Sequence, residues 1–112
     1  MGLGLRYTLD DDGSVYTSFL GHPALEGFEG LLHGGIIAAL LDGTMLQCVF
    51  AHGYIGLTAE LKIRYRRPVV IGEEMLVRGK LMRVTRPLFH LRAELTQGGF
   101  VKATATGKFM QR

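Results

Sequence analysis

From Ile36 to Ala51 the chain is nearly unbroken in apolar residues, with only Asp42, Gly43, Thr44 and Gln47 interrupting the run. Gly34-Gly35 precedes it and Gly53 follows, so the pattern predicts a helix from about Gly34 to His52 that stops at Gly53. From Leu57 the period changes to two. Leu57, Ala59, Leu61, Ile63 and Tyr65 alternate with Thr58, Glu60, Lys62, Arg64 and Arg66, which predicts a half-buried strand ended by Pro68. Gly72 turns the chain into a second strand over Glu74 to Thr85, broken near Pro87. Leu88 to Thr96 alternates again, Gly98-Gly99 suits a tight hairpin, and Val101, Ala103, Ala105 and Phe109 mark the last strand. Ahead of the helix, Asp10-Asp11-Asp12-Gly13 signals a turn, Val15 to Leu20 a first strand, and Gly21 to Gly30 a loop containing Pro23. One long apolar helix followed by four alternating strands on short connections predicts an α+β fold. Its antiparallel sheet has one solvated face and wraps the other around the helix.

A length of 112 residues with 47% hydrophobic content fits a single domain spanning 1–112. Glycine is frequent, 16 of 112, but shows no repeat, so collagen-like and low-complexity readings fail. The single Cys48 allows no intramolecular disulfide and no metal-ligand spacing, and a reducing, cytoplasmic setting is the simpler expectation. No positive segment followed by an apolar stretch opens the chain. The run Ile36 to Ala51 reads as too short for a membrane span. Net charge is +3, with acids early and bases from Lys62 onward, a weak pointer to an anionic ligand.

Within the helix, Asp42 belongs to no polar stripe: Ala38, Ala39, Met45 and Leu46 share its side, while Thr44 and Gln47 lie about 200° and 140° away. It is either a functional carboxylate or a cap for a neighbouring backbone group on a helix less buried than the pattern suggests. At the other end, His33-Gly34-Gly35 opens the helix where the first amide N–H groups lack partners and the dipole favours negative charge, which makes an anion or oxyanion site. Asp42 lies about 13 Å farther along the axis, whereas attack on a carbonyl held at the mouth needs contacts of roughly 3 Å. If both serve one reaction, an antiparallel copy of the helix must supply the second half, so the protein is an obligate dimer.

Gly30-Leu31-Leu32-His33-Gly34-Gly35 followed by Leu40-Leu41-Asp42, with Leu57 to Tyr65 and then Arg67-Pro68, resembles the hotdog-fold thioesterases of the phenylacetate-degradation type over about residues 15–110. The resemblance implies a hotdog fold, an antiparallel sheet of five or six strands around one long helix, assembled as homodimers and often as tetramers. It implies hydrolysis of an acyl-CoA thioester. Asp42 is then the nucleophile or general base, Gly34 and Gly35 of the partner subunit donate backbone N–H to the thioester oxygen, His33 orients the site or polarises the carbonyl, and Thr58 places the attacking water. Coenzyme A enters as part of the substrate, with no metal and no other cofactor. Two positions depart from the family's pattern: Gly27 stands where many members carry Asn, and Gly43 where a longer polar side chain is common.

Arg64, Arg66 and Arg67, together with Lys62 and the bases of the next strand, read either as a cradle for the phosphates of coenzyme A or as a solvated sheet face. Nucleic-acid binding is set aside for lack of a recognised motif or an interleaved aromatic series. His22, His52 and His90 have no ligand spacing and read as surface or loop residues. Cys48 reads as a buried structural thiol and Met45, Leu46, Val49 and Phe50 as core, with an acyl tunnel as their second reading. Two other functions stand beside hydrolysis. One is a non-catalytic module that senses acyl-CoA or acyl carrier protein; the other is a hydratase or dehydratase, for which His33 has the wrong spacing to a carboxylate.

Overall fold

Alternation of period two becomes one antiparallel sheet in the computed structural model, which describes residues 3–112. The elements are β1 (Thr8–Leu9), β2 (Val15–Leu20), α1 (Gly34–Ala51), β3 (Gly56–Tyr65), β4 (Glu74–Thr85), β5 (Leu88–Gln97) and β6 (Phe100–Gln111). The six strands run in the order β1-β2-β4-β5-β6-β3, which puts β3 at an edge. Gly98 and Gly99, with φ of 60° and 82°, make the β5–β6 turn in a conformation that side chains resist. Two elements escaped the sequence reading: the two-residue β1, and a 3₁₀ turn at Pro23–Leu25 inside the predicted loop, capped by the His22 ring.

The helix lies across the inner face of the sheet. Leu40, Leu41, Met45, Cys48 and Val49 are buried against Val77, Phe89, Leu91, Leu95, Ala103 and Phe109. Each such side chain contributes about 1.5–3 kcal/mol by leaving water. Gly79 of β4 lets the two layers meet: a Cβ there would sit 3.2 Å from both Thr44 Cγ2 and the Thr44 carbonyl oxygen. Thr44 is buried yet satisfied, because its hydroxyl donates to the Leu40 carbonyl at 2.7 Å.

Wrapping is incomplete. Ile37, Leu40, Leu41, Thr44, Met45, Cys48 and Val49 form the buried side, and Ala38, Ala39, Asp42, Gly43, Leu46 and Gln47 form a half-open one. The helix also has the length and apolar composition to cross a bilayer, whereas the apolar run reads as too short for that; here the sheet covers the side of Leu40, Leu41, Met45, Cys48 and Val49 and leaves the rest half-open.

At β3 the structure reverses a predicted phase. Leu61, Ile63 and Tyr65 pair with Gly107, Ala105 and Ala103 on the inner face, but a bulge between Thr58 and Glu60 inserts Ala59 without a partner. One extra residue flips every side chain before it. Thr58, opposite Phe109, therefore faces the helix, and Leu57, expected inside, is 59% exposed.

Candidate active site

Helix α1 begins at a cap built by His33. Its backbone is extended (φ −61°, ψ 135°), and its ring Nδ1 accepts the Gly35 N–H at 2.8 Å. The His33 carbonyl takes the Ile36 and Ile37 N–H groups at 3.0 and 3.2 Å. Gly35, expected to donate outward, is thus already engaged. The Gly34 N–H has no partner among the described residues and is the free donor of the mouth. Gly35 is needed for the ring itself, since a Cβ there would lie 3.0 Å from His33 Nδ1.

Outside the mouth lies a groove of about 660 Å³ lined by Gly27, Phe28, His33, Gly34, Tyr65, Arg66 and Arg67 among others. Two of the three arginines expected to meet phosphates therefore stand beside the predicted oxyanion site. Their backbone is fixed by the β6 bulge: the N–H groups of Arg66 and Arg67 both donate to the Lys102 carbonyl, at 2.8 and 3.0 Å. The Arg67 guanidinium stacks 4.3 Å from the Phe100 ring centre. Arg64 is elsewhere. It lines a second groove of about 310 Å³ on the outer sheet face with Lys62 and Arg92, and only Arg66 belongs to both. The cause is the strand's own alternation, which sends Arg64 outward opposite Thr104.

Gly27 packs against the cap. A Cβ at this position would come within 3.3 Å of His33 Cα, so a side chain here would press on the histidine. Behind the groove, buried Gln97 donates to the Val70 and Glu73 carbonyls and accepts the Val70 N–H, tying down the loop that carries Val69. Tyr65 donates its hydroxyl to the Gly34 carbonyl at 2.9 Å, and its ring lies within 3.7 Å of where a Gly34 Cβ would be. Sequence reasoning missed Gln97 and Tyr65. Tyr65 fits its strand's alternation like its neighbours, with no local signal to separate it, whereas Gln97 is a polar residue in the inward phase of Phe89, Leu91, Ala93 and Leu95, and that is the signal available.

Asp42 lies in a different cavity, about 520 Å³, lined by Leu3, Leu5, Tyr7, Ala39, Leu46 and Gln47. Gln47, placed well away from Asp42 by the helical count, shares that cavity. The Thr58 hydroxyl, turned inward by the bulge, donates to Asp42 Oδ1 at 2.8 Å. Asp42 Oδ2 has no hydrogen-bond partner among the described residues. Burial pushes the Tyr7 phenol up, against a smaller opposing effect of the Thr44 hydroxyl, so this neighbour stays protonated at neutral pH. The Tyr7 hydroxyl lies against Gly43, 3.6 Å from where a Cβ would be, an ordinary contact distance. No residue lines both cavities, so one chain keeps Asp42 and the helix mouth apart.

Cys48 is buried, and burial raises its thiol pKa, as expected of a structural thiol. His52 Nε2 lies 2.8 Å from the Gly13 carbonyl and His22 caps its 3₁₀ turn, so both have local structural work.

Residues 29–102 match the family model described as Thioesterase superfamily. Acyl-coenzyme A thioesterase THEM4 of Rattus norvegicus is 33% identical over 92 residues, covering 79% of this chain and 40% of its own length. Among solved structures, the thioesterase superfamily protein RHA08564 superposes with a TM-score of 0.91 at 30% identity, over 95% of this chain and 55% of that one. A phenylacetic acid degradation-related protein from Ralstonia eutropha JMP134 superposes at 0.86 with 29% identity, over 96% and 85%. The chain thus spans two fifths of the rat relative's length and most of the Ralstonia protein's. A long helix embraced by an antiparallel sheet and capped by His33-Gly34-Gly35, in a chain whose residues 29–102 match the family model, makes this chain a hotdog-fold member of the Thioesterase superfamily.

Proposed function

We propose that the protein hydrolyses acyl-CoA thioesters at a site completed by two copies of the chain. The carrying observation is the Thr58–Asp42 hydrogen bond: it fixes one carboxylate oxygen and leaves the other open to a cavity. The rat relative's name, an acyl-coenzyme A thioesterase, supports the substrate class. Arg66 and Arg67 at the mouth groove supply cations for the coenzyme's phosphates, and Arg64 is left to the outer face.

In this reading the thioester oxygen sits against the Gly34 N–H at the positive end of α1, which makes the carbonyl carbon electrophilic. Asp42 of the second copy either adds to that carbon or takes a proton from a water that adds to it. Collapse of the tetrahedral adduct breaks the C–S bond and expels the coenzyme A thiolate; where Asp42 itself has added, water then cleaves the acyl–Asp42 anhydride, giving the free acid and restoring the carboxylate. The edge strand β3 offers the second copy a seam, because Leu57 and Tyr65 are 59% and 53% exposed and one side of its backbone has no neighbouring strand. Assembly as a dimer follows from the same argument, and a dimer of dimers is its extension. A buried free thiol suits a cytoplasmic setting.

The test is release of free thiol from short, medium, long and aromatic acyl-CoAs, with Asp42→Asn run in parallel at matched oligomeric state. Hydrolysis by the parent and its loss in the variant are expected. Tight binding of acyl-CoA with thiol release at background would replace the enzyme with a sensor.

A further inference from the structure

The peptide between Gly34 and Gly35 is bonded at both ends. Its oxygen accepts the Tyr65 hydroxyl at 2.9 Å, and its N–H donates to His33 Nδ1 at 2.8 Å. Because the donor on Nδ1 is a backbone amide, that nitrogen must be the acceptor, and a neutral His33 ring carries its proton on Nε2. A hydrogen bond to an amide oxygen polarises the whole peptide and strengthens its N–H as a donor. We infer that Tyr65, through this peptide, strengthens the Gly35 N–H bond that keeps the proton on His33 Nε2, making His33 Nε2–H a second donor of the helix mouth beside the Gly34 N–H. The inference rests on the reading that the mouth binds a thioester oxygen.

Three features of the fold hold the chain of bonds in place. Tyr65 is the last residue of β3 and pairs with Ala103, so its ring is aimed at the helix by strand register rather than by chance contact. Gly35 leaves the space that His33 Nδ1 occupies. Gly27 lies against the ring's other side, its vacant Cβ position 3.6 Å from Cδ2. His33 Nε2 has no partner among the described residues, and the ring lines the 660 Å³ groove, so its proton is available to a ligand there. Tyr65 touches no reacting atom in this scheme and is a positioning residue.

Tyr65→Phe removes one hydroxyl and keeps the ring against Gly34. Two-bond ¹H–¹⁵N correlation spectra of the histidine ring, recorded on the intact protein, report the tautomer directly. Wild type is expected to show the proton on Nε2. In Tyr65→Phe the His33 ring nitrogens and the Gly35 amide shift together, and kcat falls about fivefold with KM within about twofold, as for loss of an interaction that strengthens with developing charge. A wild-type ring protonated on Nδ1 overturns the inference. So does a Tyr65→Phe spectrum in which neither His33 nor Gly35 moves. Wild-type protein that releases no thiol from any acyl-CoA defeats the proposed function alone, since the spectra still decide the tautomer and its dependence on Tyr65.

Discussion

The two halves of the site are made of different material. At the helix mouth the working groups are a backbone N–H and a ring held by backbone, and what matters in the sequence is the absence of a side chain at Gly35. Around Asp42 the working groups are a carboxylate and a hydroxyl from two elements, and the backbone only carries them. The first half is tight at Gly35, where an added Cβ would crowd the His33 ring; the second depends on side-chain atoms that Asp42 and Thr58 supply. One strand serves both, since β3 places Thr58 on Asp42 near its start and Tyr65 on the mouth at its end.

Substitutions can break this contrast in order of effect. Asp42→Asn should cut thioester hydrolysis by at least about 100-fold with little change in Tm, measured by thiol release and thermal melting. An active variant would remove the carboxylate half altogether. Gly35→Ala adds a single methyl that displaces the His33 ring, and a loss of about tenfold in kcat is expected. Alanine's better helix propensity, worth up to about 1 kcal/mol, should keep Tm within a few degrees. Undiminished kcat there would mean the mouth does not depend on the ring's position. Thr58→Ala should lower kcat roughly fivefold, because Asp42 loses its one hydrogen bond but not its charge. The smallest effect separates the arginines: Arg66→Ala should raise KM for an acyl-CoA a few-fold at low salt, fading as salt rises, while Arg64→Ala leaves it unchanged. Equal effects would return the outer face to the binding site.

Much of the fold was legible because periodicity is a long-range statistic. The helix and five of the strands came out within about two residues, each supported by many positions. What failed turned on single residues. The bulge at Ala59 shifts one strand by one position, and nothing in Leu57-Thr58-Ala59-Glu60 distinguishes a bulge from regular alternation. That shift reverses Leu57 and Thr58, so Thr58 is legible as a site residue by resemblance and not by its place in the pattern. Gly35 was legible as a glycine but not as one whose N–H is already committed, because the competitor is a side chain two residues back. Arg64 and Arg66 looked equivalent by alternation. The strand ends at Tyr65, and the chain beyond it turns Arg66 toward the mouth as well.

The order of elements along the chain has a consequence for the protein's birth. Synthesis delivers α1 before any residue of β3, β4, β5 or β6, the strands that make up most of the surface covering it. Until these strands have been made, an 18-residue helix with the length and oiliness of a membrane anchor is covered in part only. Slowing translation after residue 52 should lower the soluble yield more than the same delay placed before residue 33.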